Sequence, residues 1–169
     1  MTGKSGGILA TRLQSPLGEL VITASDAGIT GVWFPGADRA AVQPDDAREP
    51  PSGVLARARE QLSEYFAKAR TTFDLPLAPP GTAFQRRVWD ALRAIPYGTT
   101  LSYSELARRL GDVRATRAVG AANGKNPIPI IVPCHRVVGA QGELTGFGGG
   151  VDRKRWLLEH EGALLMLGG

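Results

Sequence analysis

The sequence has few of the residues from which cross-links and metal sites are built. Its 169 residues include one cysteine, Cys134, and two histidines, His135 and His160. A single cysteine excludes an intramolecular disulfide. Zinc sites use several cysteine and histidine ligands at short spacings, and no such ligand pair is present. We therefore expect no metal ion, and the sequence indicates no other cofactor.

Long apolar segments are also missing. No run approaches the roughly 20 residues that a membrane helix requires. The first seven residues are not followed by the apolar segment of a secretory signal. The sequence therefore predicts a soluble cytoplasmic protein that does not bind membranes. Its length suits one compact domain or two small lobes, and we expect a monomer.

Charge is distributed unevenly along the chain. Residues 1–81 contain 8 basic and 9 acidic residues, whereas residues 82–169 contain 12 basic and 7 acidic residues. A basic half indicates either an ordinary solvated surface or a binding face for a polyanion such as DNA. Charge alone leaves both interpretations open.

The first half of the sequence predicts a small sheet and a helix. Three β-branched and apolar runs separated by turn residues are typical of strands; they are Ile8–Leu13, Leu20–Thr23 and Ile29–Phe34. A proline-rich loop, a helix with apolar residues at helical spacing, an extended stretch and a lobe boundary follow at residues 35–53, 55–69, 72–77 and 79–81. The predicted domains are therefore residues 1–80 and 81–169.

The second half predicts a mostly helical lobe. Thr82 is placed to cap a first helix, and Ser102 and Glu105 match the capping box of a second one. That helix ends near Gly111, and a short helix over Arg114–Ala122 follows after a tight turn, which is typical of a helix-turn-helix. Further elements are a short strand or extended segment and a last helix, at Pro127–Val132 and Asp152–His160. The predicted fold class is α/β (α+β), with a small sheet and helix in the N-terminal lobe.

Cys134 lies between Pro133 and His135, at the end of an apolar stretch. A lone cysteine is most often a small buried apolar residue. A free thiol is only a few per cent ionised at neutral pH, so a nucleophilic cysteine needs a base. His135 would serve only through a tight turn or a bridging water, because adjacent side chains of an extended segment point to opposite faces. Glu161 would orient the imidazole as the third member of a triad does.

Several ordered motifs together resemble the O6-alkylguanine-DNA alkyltransferase family. Ile131–Val138 resembles the segment around that family's acceptor cysteine, and the resemblance extends over Phe84–Gly162. The other matching segments are Ile95–Gly98, Ser102–Tyr103, Arg117–Asn123, Asn126–Pro127 and Trp156–Gly162. The resemblance implies direct-reversal DNA repair, in which an alkyl group moves irreversibly from O6-alkylguanine, and also from O4-alkylthymine, to Cys134.

The resemblance implies a role for each catalytic residue. Cys134 is the alkyl acceptor, His135 takes its proton through a water, and Glu161 orients His135. Asn126 holds this network and the turn bearing the cysteine. Tyr103 donates its hydroxyl proton toward the guanine as the leaving base gains negative charge. Because the product is a thioether and no second cysteine can accept the group, the protein would act once.

The resemblance also assigns a DNA-binding face to the second helix of the helix-turn-helix. An alkylated base lies inside the duplex and must be flipped out, and Arg117 is implied to fill its place. Small residues keep this helix narrow, which suits the minor groove, and flanking basic residues would bind phosphates. The other residues assigned to this face are Ala115, Thr116, Ala118, Gly120, Ala121, Arg114, Lys125 and Arg136.

By the same resemblance, the glycine-dense segment 146–150 borders the pocket for the base. The residues assigned to that pocket are Phe147, Gly148, Gly149 and Val137. Phe147 and Gly148 stand where many relatives carry Tyr and Ser, so two hydroxyl contacts are missing and the substrate range is open. The zinc ligands found in the N-terminal lobe of some relatives have no counterpart.

Three other functions fit parts of the sequence. Alkyltransferase-like proteins bind damaged guanines without chemistry, but they lack the acceptor cysteine. A transcriptional regulator would use the helix-turn-helix, yet no effector domain is visible. A cysteine hydrolase is favoured only by the Cys134–His135 pair. A mass measurement after mixing with alkylated DNA distinguishes all of these.

Overall fold

The computed structural model describes residues 8–36 and 53–164. The chain divides into two compact units, Met1–Pro80 and Gly81–Gly169. Within the described ranges no helix is long and apolar enough to cross a membrane.

The first unit contains a three-stranded antiparallel sheet and one long helix. The strands are β1 (Leu9–Ser15), β2 (Gly18–Ser25) and β3 (Gly28–Trp33), and β2 lies in the centre. Helix α1 (Val54–Phe66) packs against all three strands. These elements confirm the prediction of a small sheet with one helix.

The core of this unit lies between the sheet and α1. Strand β2 contributes Leu20, Ile22 and Ala24, which have no exposed surface. Helix α1 contributes apolar residues at helical spacing: Leu55, Ala58, Leu62 and Tyr65. Each large side chain buried in this way contributes about 1.5–3 kcal/mol to folding before entropy is subtracted.

Two further predictions for the first half concern the extended stretch at residues 72–77 and the loop at residues 35–53. The extended stretch at residues 72–77 pairs with the sheet only at its end, where Leu77 forms a single parallel bridge to Ile29. Most of the predicted loop at residues 35–53 lies outside the described residues.

In the second unit, residues 81–164 form four α-helices. They are α2 (Ala83–Leu92), α3 (Tyr103–Arg109), α4 (Thr116–Gly124) and α5 (Val151–His160). Helices α2, α3 and α4 pack on one another. The side chains buried there are Val88, Trp89, Leu92, Leu106, Ala107, Val119 and Ala122. Thr82 caps α2 through a capping box, as its sequence position predicts.

A short parallel strand pair joins two distant parts of this unit. Strand β4 (Leu101–Ser102) precedes α3, and β5 (Val137–Val138) follows Cys134. A strand of two residues has no periodicity to detect, so the sequence did not predict this pair. The pairing places the start of α3 beside the segment that contains the cysteine.

The predicted strand over Pro127–Val132 is wrong. The segment consists of turns, Ile130 has a φ of 74°, and the Val132 N–H donates to the Ile128 carbonyl over 2.9 Å. Ile128 and Ile130 are fully buried. The apolar run therefore reflects burial of a bent chain, which periodicity alone does not separate from a buried strand.

Candidate active site

Helices α3 and α4 form the predicted helix-turn-helix. The Ser102 hydroxyl accepts the Glu105 N–H at 3.1 Å, and the Glu105 carboxylate accepts the Ser102 N–H at 2.9 Å. These bonds satisfy donors that the first turn of α3 leaves unpaired. Gly111 then adopts a φ of 98°, which favours glycine. Asp112 caps a 3₁₀ turn at Val113–Ala115 that leads into α4.

Helix α4 has one buried and one accessible face. On the buried face Val119, Ala122 and Asn123 pack inward, and Trp89 Nε1 donates to the Ala122 carbonyl at 2.9 Å. The residues predicted to face DNA lie elsewhere on the helix or just before it: Arg117, Ala118 and Ala121 are exposed, and Ala115, Thr116 and Gly120 are half-buried. Arg114 and Lys125, which flank the helix, are exposed.

Cys134 begins a 3₁₀ turn that follows Pro133. Asn126 holds the approach to this turn, because its Nδ2 donates to the Val132 carbonyl at 2.8 Å and its Oδ1 accepts the Ile128 N–H at 2.9 Å. Nδ2 of Asn123, in the last turn of α4, donates to the Cys134 carbonyl at 3.5 Å. The backbone at the cysteine is thus held by side-chain amides from α4 and the segment after it.

The Cys134 thiol is buried, with 4% of the residue exposed. Burial raises the pKa of the Cys134 thiol to about 11, against the smaller opposing effects of a hydrogen bond from Asn126 and the charge of Lys154. A sulfur with this pKa is protonated at neutral pH. It becomes a nucleophile only when a base removes its proton.

The sequence predicts that this base is His135. Its Nε2 lies 2.8 Å from Glu161 Oε2, and neither side chain has exposed surface. Burial lowers the pKa of the His135 imidazole and outweighs the opposing effect of Glu161. Because an ionised carboxylate only accepts hydrogen bonds, Nε2 carries the proton of the neutral ring. Nδ1 is buried and has no hydrogen-bond partner among the described residues.

The Glu161 carboxylate accepts hydrogen bonds from His135, Arg136 and Gly98. Besides His135, Arg136 approaches it with Nε at 2.9 Å and Nη2 at 3.0 Å, and the Gly98 N–H lies 3.3 Å from Oε1. Burial works to raise the pKa of the Glu161 carboxyl, but its bonds to His135 and Arg136 outweigh burial and lower that pKa well below its usual range. The carboxylate therefore stays ionised.

Arg136 is buried, which contradicts the prediction that it binds a phosphate. Only 5% of the residue is exposed. Its guanidinium bonds Glu161 with two nitrogens, and Nη1 donates to the Ile95 carbonyl at 2.6 Å. The 3₁₀ turn directs it inward, a direction that the sequence does not reveal.

Tyr103 and Lys154 share one acceptor near the cysteine. The Tyr103 hydroxyl donates to the Thr145 carbonyl at 2.9 Å, and Lys154 Nζ donates to the same carbonyl and to that of Val137, at 2.6 Å each. The hydroxyl passes close to Gly146, where a Cβ would lie 2.9 Å from it. Gly146 also has a φ of 68°. Both the short contact and the backbone conformation therefore favour glycine at this position.

Burial changes the acidity of both side chains. Lys154 has no exposed surface, and burial lowers the pKa of its ammonium to about 8. Burial likewise raises the pKa of the Tyr103 phenol, against the effect of its bond to Thr145. The Tyr103 hydroxyl therefore keeps its proton at neutral pH and remains a hydrogen-bond donor.

The residues predicted to line the base pocket differ in accessibility. Gly148 is exposed and Gly149 is half-buried. Phe147 retains 9% exposure and Val137 none. The backbone of the two glycines is thus accessible to a bound base, whereas the buried Val137 side chain is not.

The groups around Cys134 are those of acid–base chemistry. Within residues 8–36 and 53–164 no three His, Cys, Asp or Glu residues are grouped to hold a metal ion. The Asn126 amide and the Lys154 ammonium act on the thiol, the thiol acts on the Tyr103 phenol, and the His135 imidazole follows in sequence. Such a set can deprotonate the thiol and donate to an anion that leaves the reacting carbon.

Two residues of this site were missed or misassigned from the sequence. Lys154 stands between two arginines and resembles an ordinary surface charge. Its spacing nevertheless gives a signal: Lys154, Leu157, Leu158 and Glu161 follow the i, i+3, i+4, i+7 pattern of one helix face, and all four are buried. For Arg136 no comparable periodicity exists, because its element is a single turn.

The chain is similar to known proteins over most of its length. Residues 83–163 match the family described as "6-O-methylguanine DNA methyltransferase, DNA binding domain", and residues 8–79 match its "ribonuclease-like domain". A methylated-DNA–protein-cysteine methyltransferase of Methanosarcina acetivorans is 45% identical over 150 residues, which cover 89% of this chain and 96% of that protein.

Solved structures of such proteins have a similar fold. The Mycobacterium tuberculosis O6-methylguanine methyltransferase superimposes with a TM-score of 0.82 at 44% identity, covering 93% of this chain and 94% of the other. The structure of M. tuberculosis OGT in complex with DNA gives a TM-score of 0.81 at 45% identity, covering 95% and 99%.

Proposed function

Because the chain belongs to the 6-O-methylguanine DNA methyltransferase family, we propose that it repairs DNA by moving the alkyl group of O6-alkylguanine onto Cys134. O4-alkylthymine, which presents the same kind of alkoxy carbon, is a second substrate. The observation that carries the proposal is the buried thiol beside an imidazole whose Nδ1 is unpartnered and whose Nε2 is held by Glu161.

The first step is deprotonation of the thiol. The Sγ proton passes through one water to His135 Nδ1, and Glu161 stabilises the resulting imidazolium through Nε2–H. The lone pair of Sγ then attacks the alkyl carbon as the bond from that carbon to O6 breaks. The bonding electrons pass to the purine, and Tyr103 turns its hydroxyl from the Thr145 carbonyl to donate a hydrogen bond to that developing anion. The purine anion finally takes one proton from water, and the His135 imidazolium returns the thiol proton to water, so the protons balance.

The product explains why each molecule acts once. Sulfur and carbon are joined in a thioether, which has no electrophilic carbonyl for water to attack. The sequence contains no second cysteine to accept the group. The protein is therefore consumed stoichiometrically.

Binding to DNA is assigned to helix α4. The alkylated base must leave the stack to reach a buried thiol, and the exposed Arg117 is long and planar enough to fill the space. Arg114 and Lys125 flank the helix and neutralise phosphates. All of these residues and the chemical groups belong to the second unit of one chain, so the proposal requires only a monomer.

The decisive test is the mass of the protein after reaction. After incubation with an oligonucleotide containing O6-methylguanine, the peptide that contains Cys134 should gain one methyl group per molecule. Cys134→Ser should gain none, yet should still bind the DNA with an affinity that weakens as salt rises. More than one lesion repaired per protein molecule, or a methyl group on another residue, would contradict the proposal.

A further inference from the structure

Arg136 occupies a position that the reaction outlined above leaves unexplained. It is buried, and a buried guanidinium is retained at a cost unless its charge is matched. Its match is Glu161, which it meets with two nitrogens at 2.9 and 3.0 Å. Glu161 also contacts His135 at 2.8 Å. The same carboxylate therefore bonds both the Arg136 guanidinium, which is always charged, and the His135 imidazole.

Charge neutrality decides the state of His135. An isolated buried charge is costly. When the only ionisable partner of a buried carboxylate is an imidazole, the pair is therefore more stable with the imidazole protonated. An imidazolium carries protons on both nitrogens and cannot accept another. When a guanidinium already neutralises the carboxylate, the imidazole is free to stay neutral.

We propose that Arg136 is a positioning residue that keeps His135 neutral and able to accept the thiol proton, by neutralising Glu161 through bonds to both of its carboxylate oxygens. The inference rests on the proposed function in taking His135 as the base. It replaces the phosphate contact expected of Arg136 with a role inside the site. The Ile95 carbonyl, bonded by Nη1 at 2.6 Å, fixes the guanidinium in the required direction.

The remaining charged groups around His135 favour the same state. Lys154 of α5 adds a second positive charge, and both Arg136 and Lys154 lower the pKa of the His135 imidazole, in addition to the larger effect of burial. Tyr97 lies against Arg136, 5.6 Å from ring centre to guanidinium carbon. The titratable residues of α2, which packs on the turn, are exposed: Arg86, Arg87 and Asp90.

The test uses two variants that differ in charge. Arg136→Met removes the cation, whereas Arg136→Lys keeps it; both lose the paired hydrogen bonds, so their difference isolates the charge. The full chain is labelled with ¹⁵N-histidine and titrated by NMR. His135 and His160 are its two histidines, and His160, stacked on Trp156, serves as the internal reference.

The unaltered protein should show a neutral His135 with the proton on Nε2 at pH 7. In Arg136→Met the pH of proton uptake at His135 should rise by about one unit or more, the usual effect of losing a neighbouring charge. In Arg136→Lys it should stay near the original value. A cationic His135 at pH 7 in the unaltered protein would overturn the inference even if Arg136→Met failed to fold, and so would equal titrations of all three proteins.

The rate of methyl transfer separates this inference from the proposed function. If both hold, the acid limb of the rate–pH profile moves to higher pH in Arg136→Met by the same amount as the NMR titration, and stays in place in Arg136→Lys. If the NMR titration moves while the rate profile does not, Arg136 controls the charge of His135 but His135 is not the base. A lower rate in both variants with unmoved titrations indicates a purely structural role and overturns the inference.

Discussion

At the scale of single residues, the chemistry depends on how a thiol and an imidazole that are adjacent in sequence are arranged in space. The 3₁₀ turn at Cys134–Arg136 keeps both side chains buried. The proposed function needs both residues, because the thiol is protonated at neutral pH and the imidazole accepts a proton only through Nδ1.

His135→Ala should slow methyl transfer by about 10²-fold or more at pH 7, the usual contribution of a general base. Single-turnover rates with methylated duplex measure this effect. His160→Ala is the matched control, because His160 stacks on Trp156 and has no role in the proposed reaction, and it should react at the normal rate. If the two alanine variants transfer methyl equally fast, Cys134 is activated by another group.

The residues of the candidate site were predictable where they belong to short sequence motifs. Cys134, His135, Glu161 and Asn126 follow from ordered motifs, and the structure places all four in the second unit. The inward direction of Arg136 and the burial of Lys154 were not predictable in the same way. Both are basic residues in a basic half of the chain, and a turn of three residues carries no periodic signal that separates inside from outside.

At the scale of elements, α4 links the accessible face of the second unit to the cysteine. Its exposed side carries Arg117, and its last turn supplies Asn123, which donates to the Cys134 carbonyl. Trp89 of α2 fixes the same turn through the Ala122 carbonyl. These bonds hold the C-terminal end of α4 and so fix the direction in which its N-terminal end points.

Arg117→Lys should repair duplex DNA much more slowly than the unaltered protein, because lysine keeps the charge but loses the planar stacking surface. Both should react with the free base O6-benzylguanine at similar rates, since no base needs to be flipped. The measurement is the duplex rate divided by the free-base rate. Arg114→Lys is the control and should leave the ratio unchanged.

An Arg117→Lys ratio equal to that of the unaltered protein would show that charge alone suffices. A phosphate contact is electrostatic and is largely retained by lysine. In that case the role of Arg117 in base extrusion would have to be abandoned.

Elements were predictable to the extent that their signals are local. The N-cap at Thr82 and the capping box at Ser102 and Glu105 depend on residues at most three apart and were found at the expected places. The β4–β5 pair joins residues more than thirty positions apart, and its two-residue strands depend on tertiary contacts. The same dependence explains the mistaken strand at Pro127–Val132, where burial and not pairing selects the apolar residues.

At the scale of the whole molecule, the buried ionisable groups make stability depend on pH. Burial lowers the pKa of His135 below its unfolded value near 6.5. The unfolded chain therefore binds a proton that the folded chain rejects, and the stabilisation present above about pH 6.5 is lost as pH falls. Glu161, whose pKa is also lowered, adds a second loss at more acidic pH.

The free energy of unfolding of the second unit should consequently fall by roughly 1.4 kcal/mol for each pH unit below 6.5. Urea unfolding of a Trp33→Phe variant measures this, because the remaining tryptophans, Trp89 and Trp156, both lie in the second unit. In a further His135→Gln variant the dependence between pH 7 and 5.5 should flatten. Equal slopes with and without His135 would assign the effect to other groups.

Burial of Cys134 also governs how long the protein remains usable before it meets damaged DNA. Oxidants attack thiolates far more readily than thiols, and exposed sulfurs before covered ones. With 4% of the residue exposed and a pKa of about 11, the sulfur is a poor target for peroxide. Under the proposed function, a thiol that can react only once is thereby stored in its reduced form until His135 removes its proton beside a bound base.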